Sequence, residues 1–257
     1  MSATRNLIAY NTILIKEVGR FTRIWIQTLL PPAISMTLYF VIFGNLIGPR
    51  IGMMSGFTYM EYIAPGIIMM AVMNNSYANV VASFFSAKFQ RHIEEILVAP
   101  VPNFIILAGY ITGGLTRGLM VGVVVTIVAL FFTDLNVKHP FMTISVVVLT
   151  SVLFSLGGLI NGIFARKFDD ISIIPAFILT PLIYLGDVFY SIELLPDFWR
   201  SVSIFNPILY MVNAFRHGIL GISDINITLA FVIIIFFIVI LTTLALYLLH
   251  KGTGIKT

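Results

Sequence analysis

The sequence predicts an all-α integral membrane protein with six transmembrane helices, formed by a single domain over residues 1–257. Of these 257 residues, 59% are hydrophobic and only 10% are charged. The mean hydropathy of +1.02 exceeds what a water-soluble core of this size could bury. A helix needs about 20 apolar residues to cross the hydrocarbon layer. Six apolar segments are candidates: 26–47, 62–83, 104–133, 141–165, 171–186 and 227–249.

The fifth segment is short and leads into a broken, partly apolar tract. It contains Pro175 and Pro181, which predict a kink. The tract 187–220 is interrupted by Pro196 and Pro207, so we expect a re-entrant or interfacial hairpin at the outer face rather than a simple span. Its interfacial anchors would be the aromatic residues Tyr190, Phe198, Trp199, Phe205 and Tyr210.

Basic residues predict the orientation of the chain. Most of them flank the spans on the side of the two termini: Arg5, Lys16, Arg20, Arg23, Lys88, Arg91, Arg166, Lys167, Lys251 and Lys256. Fewer stand on the opposite side: Arg50, Lys138, Arg200 and Arg216. The positive-inside rule therefore places both termini in the cytoplasm. Because these residues form no single basic face, they argue against binding to nucleic acid.

Residues 4–24 are predicted to form an amphipathic interfacial helix before the first span. One side of the helical wheel is apolar: Leu7, Tyr10, Leu14, Val18, Phe21 and Trp25. The opposite side is basic: Arg5, Lys16, Arg20 and Arg23. This pattern is typical of a helix in the interface plane whose cations face lipid headgroups. The alternative is an ordinary solvated start to the first span.

Several polar residues lie within the predicted spans and are candidates for a transport path. They are Asn75, Asn79, Arg117 and Asn161. An arginine at membrane depth costs about 2.5 to 3.5 kcal/mol on insertion scales, so Arg117 should face other helices or water. These groups either line a path or form interhelical hydrogen bonds, and the sequence leaves both open. The glycines of the third span, from Gly109 to Gly122, favour close packing or dimerisation.

The remaining composition argues against an enzyme and against any cofactor or metal on this chain. There is no cysteine, no H-E-x-x-H motif and no G-x-S-x-G motif. The tail 252–257 resembles a phosphate loop only superficially, since Ile255 replaces the glycine before the lysine. No acidic residue is placed at mid-membrane, which weakens the alternative of an ion-coupled carrier or channel.

Segment 84–99 carries an unusual density of charge between two apolar spans. Phe85, Phe89 and Ile93 would share one face of a helix, while Arg91 and Glu95 stand four residues apart on another. Pro100 and Pro102 would end this helix. Mixed charge favours a docking surface for a cytoplasmic protein over simple attraction to lipid, although a solvated interfacial helix is the alternative.

Two stretches of the chain resemble the permeases of the type-2 ATP-binding-cassette (ABC) export family of bacterial inner membranes. Residues 87–102, AKFQRHIEEILVAPVP, are similar to that family's cytoplasmic signature after the second span. Residues 181–221 are similar to its most diagnostic region, with an N-P pair at 206–207 and a following arginine. The YIAPG motif at 62–66 matches as well. The resemblance covers essentially the whole chain.

The resemblance implies a homodimeric exporter in which each subunit contacts a separate ATPase, so that ATP and magnesium bind to the partner. Helix 84–99 would be a coupling helix. The implied ATPase-contact residues are Lys88, Arg91, Glu94, Glu95, Arg166, Asp169 and Asp170, the last two having helix capping as an alternative role. The implied outer-gate residues are Asp187, Phe189, Tyr190 and Pro207. Asp187 departs from the small residue usual in the family. The exported substrate is not indicated, and a membrane scaffold without transport is a further alternative.

Overall fold

The computed structural model describes residues 3–93, 100–252 and 254, and most of them are helical. The helices are α1 (Ala3–Arg23), α2 (Trp25–Tyr39), α3 (Gly48–Ile51), α4 (Tyr59–Phe89), α5 (Asn103–Ala129), α6 (Pro140–Phe164), α7 (Asp170–Ile174), α8 (Thr180–Tyr184), α9 (Asp197–Ile204), α10 (Pro207–Leu220) and α11 (Ile227–Lys251). Two π-helical stretches, Phe40–Ile47 and Pro175–Leu179, join α2 to α3 and α7 to α8. A 3-10 turn, Ile192–Leu194, precedes α9.

Five continuous helical segments in the described residues are long and apolar enough to cross a membrane. They are Trp25–Ile51, Tyr59–Phe89, Asn103–Ala129, Pro140–Phe164 and Ile227–Lys251. Each coincides with one of the predicted spans, which confirms an integral membrane protein built from helices. The predicted fifth span is instead the shorter apolar helix Asp170–Tyr184.

The predicted kink in this shorter helix takes the form of a π-helical turn. Pro175 opens the π-helical stretch and Pro181 lies in the first turn of α8. A proline has no N–H to donate within a helix, so carbonyl groups are freed near it. One carbonyl group in this region, that of Pro175, accepts a hydrogen bond from the Thr180 hydroxyl at 2.9 Å. The helix therefore continues through both prolines.

Helix α4 is the centre of the bundle. Of its apolar window 83% is buried, against 17% for Trp25–Ile51 and for α11. Its first turn is fixed by a capping box, in which Glu61 accepts from the Thr58 N–H at 2.7 Å and the Thr58 hydroxyl accepts from the Glu61 N–H. Most polar residues in the middle of α4, such as Asn75 and Asn79, are buried inside the subunit, whereas α2 and α11 present most of their apolar surface outward.

Glycines allow α4, α5 and α6 to approach closely within one subunit. A Cβ atom added at Gly118 of α5 would lie 1.9 Å from the Ser76 hydroxyl. One added at Gly158 of α6 would lie 2.5 Å from the Tyr77 carbonyl oxygen. Both distances are far below contact distance, so any side chain there would separate the helices. The sequence left open whether small residues serve close packing within one chain or dimerisation. In the structure, these glycines serve close packing of helices within one chain.

Helix α1 has the predicted extent but a different orientation. Ile13, Glu17 and Phe21 are buried against the bundle, while Leu7 is 59% exposed. The contact is close because α5 offers glycines: a Cβ at Gly109 would lie 2.5 Å from Ile13. The prediction that all the basic residues of α1 face lipid headgroups is therefore wrong for Arg20, which turns toward α4.

A small β-hairpin is added to the all-α fold that the sequence predicts. Strands β1 (Met53–Met54) and β2 (Phe57–Thr58) pair antiparallel between α3 and α4. Ser55 and Gly56 form the turn with φ values of +49° and +83°. Two consecutive residues with positive φ favour the tight turns that join twisted strands.

The predicted continuous helix 84–99 is broken. Helix α4 ends at Phe89, and the chain turns at Gln90 and Arg91, where Arg91 has φ +63°. The Arg91 N–H donates to the Lys88 carbonyl at 3.0 Å and closes this turn. A left-handed residue cannot continue a right-handed helix, so Phe89 and Ile93 do not share one helix face. Residues 94–99 lie outside the described residues.

Candidate functional site

The predicted ATPase-contact residues that the structure describes lie at the end of α4 and on the connection that follows α6. The Lys88 ammonium group donates to the carbonyls of Ile163 and Ala165, both at 2.6 Å. These carbonyls belong to the last turn and the C-cap of α6, where backbone acceptors have no helical partner and a cation is favourable. Lys88 therefore fastens the end of α6 to the end of α4.

An aromatic cluster joins the connection 165–169 to the same place. The Phe168 ring packs against the rings of Phe85 and Phe89, with a centroid distance of 5.0 Å in each case. Edge-to-face pairs of this kind stabilise by about 0.5 to 1.5 kcal/mol beyond the area that they bury. The two regions that sequence analysis assigned to the ATPase are thus in direct contact with each other.

Asp170, which directly follows the connection 165–169, holds the backbone of this connection through hydrogen bonds. Its carboxylate accepts hydrogen bonds from the backbone N–H groups of Arg166 at 2.7 Å and Lys167 at 3.0 Å. These two backbone hydrogen bonds are the main reason why the pKa of Asp170 lies below its usual value. Asp170 therefore has a structural role here, while the side chains of Arg166, Asp169 and Arg91 are exposed. Glu94 and Glu95 lie outside the described residues.

Three of the four predicted path residues lie together at the junction of α1, α4 and α5. The Asn75 side-chain oxygen accepts from Arg117 at 3.2 Å. One turn further along α4, the Asn79 side-chain oxygen accepts from Arg20 at 2.8 Å, and the Asn79 carbonyl accepts from it at 3.0 Å. Asn161 lies apart and donates to the Ile171 carbonyl at 3.2 Å.

Glu17 belongs to the same junction and was missed by sequence reasoning, which placed it on the cytoplasmic side of the membrane. Its side chain is completely buried. It accepts from the Ser83 hydroxyl at 2.6 Å and lies 3.4 Å from Arg20. The sequence did carry a signal for this contact: Ile13 and Glu17 on α1 are four residues apart, as are Gly109 and Gly113 on α5. In the structure, a Cβ at Gly113 would lie 2.6 Å from the Cβ of Glu17.

A buried ion pair holds the predicted outer gate. The Asp187 carboxylate accepts from Arg216 at 2.7 Å and from Asn213 at 2.6 Å, and the Asp187 and Arg216 side chains are no more than 1% exposed. Arg216 also lies 4.0 Å from the centroid of the Tyr62 ring. Asp187 has φ +64°. Aspartate adopts this left-handed conformation more readily than most residues that have a side chain. The sequence placed Arg216 on the outer side within the predicted hairpin 187–220 but did not predict its pairing with Asp187.

A second carboxylate, Asp224, ties the same network to the start of α11. It accepts from the Ser191 hydroxyl at 2.6 Å and the Tyr62 hydroxyl at 3.2 Å. Its own N–H donates to the Asn213 side chain at 3.0 Å. The turn after α8, the helix α10 and the first part of α4 are therefore fixed to one another by buried polar contacts.

The other predicted gate residues pack around this network. The Phe189 ring stacks with those of Tyr39, Phe43 and Tyr184 at centroid distances of 5.5, 4.8 and 5.8 Å. The Tyr190 hydroxyl donates to the Tyr184 carbonyl at 2.7 Å. Pro207 occupies the first turn of α10, where its missing N–H has no cost. Aromatic side chains of α9, by contrast, point outward, with Phe198 68% exposed.

Comparisons with known proteins give the family of the chain. The family model of the ABC-2 type transporter matches residues 9–220. The chain is 55% identical over 250 residues to the inner membrane transport permease YadH of Escherichia coli K12, covering 97% of this chain and 98% of that protein. It is 21% identical over 204 residues to nodulation protein J of Rhizobium leguminosarum bv. viciae, covering 79% of each. The resemblance found in the sequence is thereby confirmed, and the chain belongs to the ABC-2 type transporter family.

Proposed function

We propose that the protein is the membrane permease of an ATP-driven exporter in the bacterial inner membrane. A separate ABC ATPase would bind ATP and magnesium, and two copies of this chain would form the export path. Family membership supports this proposal, as does the name "inner membrane transport permease" of the relative with 55% identity. The chain itself would perform no catalysis.

We further propose six crossings with both termini in the cytoplasm. The helix Asp170–Tyr184 begins beside Phe168, which contacts Phe85 near the end of α4. It leads to Val188, whose backbone lies within 3 Å of where a Cβ of Gly66 would stand. At about 1.5 Å of rise per residue, positions 66 and 85 on α4 are about 28 Å apart, close to the thickness of the hydrocarbon layer. The segment 168–188, which contains this short helix, therefore covers about the same distance as a span.

The observation that supports coupling most directly is the contact between the two predicted ATPase-binding regions. Phe168 packs on Phe85 and Phe89, and Lys88 binds the carbonyls at the end of α6. A partner that pushes on Arg91 or on the 165–169 connection would therefore displace α4 and α6 together. Arg91, Glu94 and Glu95 keep their predicted role as contact residues.

The outward face of α2 offers a surface for a second copy or for lipid. Its exposed apolar residues follow a spacing of four: Ile26, Leu30, Ile34, Leu38, Ile42 and Leu46. Rows with this spacing are the ridges by which helices pack against each other. Their exposure is compatible with the homodimer that the family resemblance implies.

Co-purification of this chain with a co-expressed ABC ATPase tests the proposal. Arg91→Glu and Asp169→Arg reverse exposed charges at the predicted contact, and we expect each to weaken retention of the ATPase about tenfold or more. Asp197→Arg, a charge reversal on the exposed surface of α9, is the matched control and should leave retention unchanged. Equal retention by all variants, with membrane insertion intact, would rule out this contact.

The ion-coupled carrier remains the alternative, and buried Glu17 is the observation that favours it. A buried carboxylate is the group that proton- or sodium-coupled transport requires. Its oxygens are, however, occupied by Ser83 and Arg20. Transport by the permease alone in proteoliposomes, driven by an ion gradient without nucleotide, would establish this alternative in place of the ATP-driven one.

A further inference from the structure

The junction of α1, α4 and α5 has more positive than negative charge. Arg20, Arg117 and Lys16 converge there, and Glu17 is the acidic partner within salt-bridge distance, 3.4 Å from Arg20 and 3.9 Å from Lys16. Arg117 is bound to the neutral side chain of Asn75. Among the described residues, Arg20 and Lys16 thus share the Glu17 carboxylate, while Arg117 has no carboxylate within salt-bridge distance. These three cations and one carboxylate together carry a net charge of +2.

The junction also has hydrogen-bond donors without acceptors. The Nε atoms of Arg20 and Arg117 and the side-chain nitrogen of Asn79 are buried and have no partner within the described part of the chain. The orientation of Asn79 is fixed, because its oxygen accepts from Arg20 and an exchanged amide would place two donors face to face. Buried donors without acceptors are costly and rare. A ligand that brings acceptor oxygens and negative charge would remove this deficit.

The junction is partly accessible and lies beside a shallow apolar groove. The Arg20 side chain is 33% exposed. A groove of about 420 Å³ follows α5 and is lined by Leu115, Thr116, Leu119, Met120, Val123 and Val124. Met120 and Val124 lie seven and eleven residues after Gly113, so they extend the face of α5 that Glu17 covers. The charged site and the apolar groove are therefore neighbours on one helix.

We propose that the junction binds the phosphate headgroup of an amphiphile, with Arg20 and Arg117 as charged donors and the α5 groove as the site of its apolar chain. Guanidinium groups match phosphate oxygens with paired N–H donors. A phosphate monoester carries close to the two negative charges that the site lacks. That the exported substrate uses this site rests on the proposed function. The substrate would then be an anionic amphiphile.

Equilibrium binding to the purified full-length chain in an uncharged detergent tests this site. Radiolabelled dioctanoyl phosphatidic acid is the probe, dioctanoylglycerol supplies the same chains without phosphate, and inorganic phosphate supplies the headgroup alone. We expect saturable binding of phosphatidic acid, weakened about tenfold by Arg20→Gln and by Arg117→Gln. The control Arg200→Gln removes an exposed cation from α9 and should bind as the unmodified protein does.

Three results would overturn the proposal. The first is unchanged affinity in both glutamine variants, and the second is equal competition by dioctanoylglycerol. The third is displacement by inorganic phosphate at the same concentration, which would indicate a site for free phosphate. If a glutamine variant does not fold, Met120→Trp fills the groove without touching the arginines and should weaken binding of phosphatidic acid while leaving inorganic phosphate binding unchanged. No ATPase is present in this assay, so its outcome is independent of the co-purification test.

Discussion

At the scale of single residues, Asp187 and Arg216 form the contact on which the outer end of the chain depends. Both side chains are buried, and Asn213 and Tyr62 complete their surroundings. A buried ion pair is not in itself strong stabilisation, because both charges lose their hydration. The loss of one partner is nevertheless severe, since it leaves the other charge uncompensated.

Asp187→Ala should therefore lower the free energy of unfolding by about 3 to 5 kcal/mol, since it leaves Arg216 buried without a counter-charge. Denaturant titration of the purified protein in mixed micelles measures this change. Asp134→Ala, which removes an exposed carboxylate from the loop between α5 and α6, is the matched control and should change the same quantity by less than about 0.5 kcal/mol. The double variant Asp187→Asn with Arg216→Met removes both charges and keeps a residue that tolerates the φ of +64° at position 187. It should recover part of the loss, and a double variant less stable than the single one would contradict this explanation.

At the scale of elements, α4 and α6 approach most closely where Gly158 lies against the Tyr77 carbonyl. Gly158→Ala would place a Cβ 2.5 Å from that backbone oxygen, which cannot rotate away. We expect a loss of about 1 to 3 kcal/mol in the free energy of unfolding, as for other overpacked cores. The adjacent Gly157→Ala is the control, because its Cβ would meet the Tyr77 ring at an ordinary 3.7 Å. It should be neutral or slightly stabilising, and equal effects of the two substitutions would refute this account of the interface.

The contact between α4 and the 165–169 connection can be measured in the same way. Phe85→Ala and Phe168→Ala each remove one ring from the aromatic cluster at the end of α4. In a double-mutant cycle we expect a coupling energy of about 0.5 to 1.5 kcal/mol between the two rings. Phe198→Ala on α9 combined with Phe85→Ala provides the control and should be additive. Additivity of Phe85 and Phe168 would mean that this ring contact does not join the two predicted ATPase-binding regions, which would leave the Lys88 hydrogen bonds as their link.

At the scale of the whole molecule, the sequence predicted the positions of the helices far better than it predicted which helices pack against each other. Apolar runs set the spans because their length must match the membrane, and five of these became long helices. The pairings Arg20 with Asn79 and Asp187 with Arg216 join residues 59 and 29 positions apart. Helical periodicity gives the face on which such residues lie but not which faces meet. The break at Arg91 was missed for a local reason, since an arginine with positive φ carries no sequence signal comparable to glycine.

Single cysteines can decide how the whole chain crosses the membrane, because the natural sequence has none and labelling has no background. Lys167→Cys and Asp197→Cys introduce exposed thiols before and after the short helix Asp170–Tyr184. If this helix crosses, a membrane-impermeant maleimide added outside intact spheroplasts should label position 197 but not 167, and lysis should expose position 167. Met53→Cys, on the exposed hairpin before α4, is the reference for the outer side. Labelling of positions 167 and 197 from the same side would reduce the crossings to five. The two termini would then lie on opposite faces of the membrane, which contradicts the orientation predicted from the basic residues.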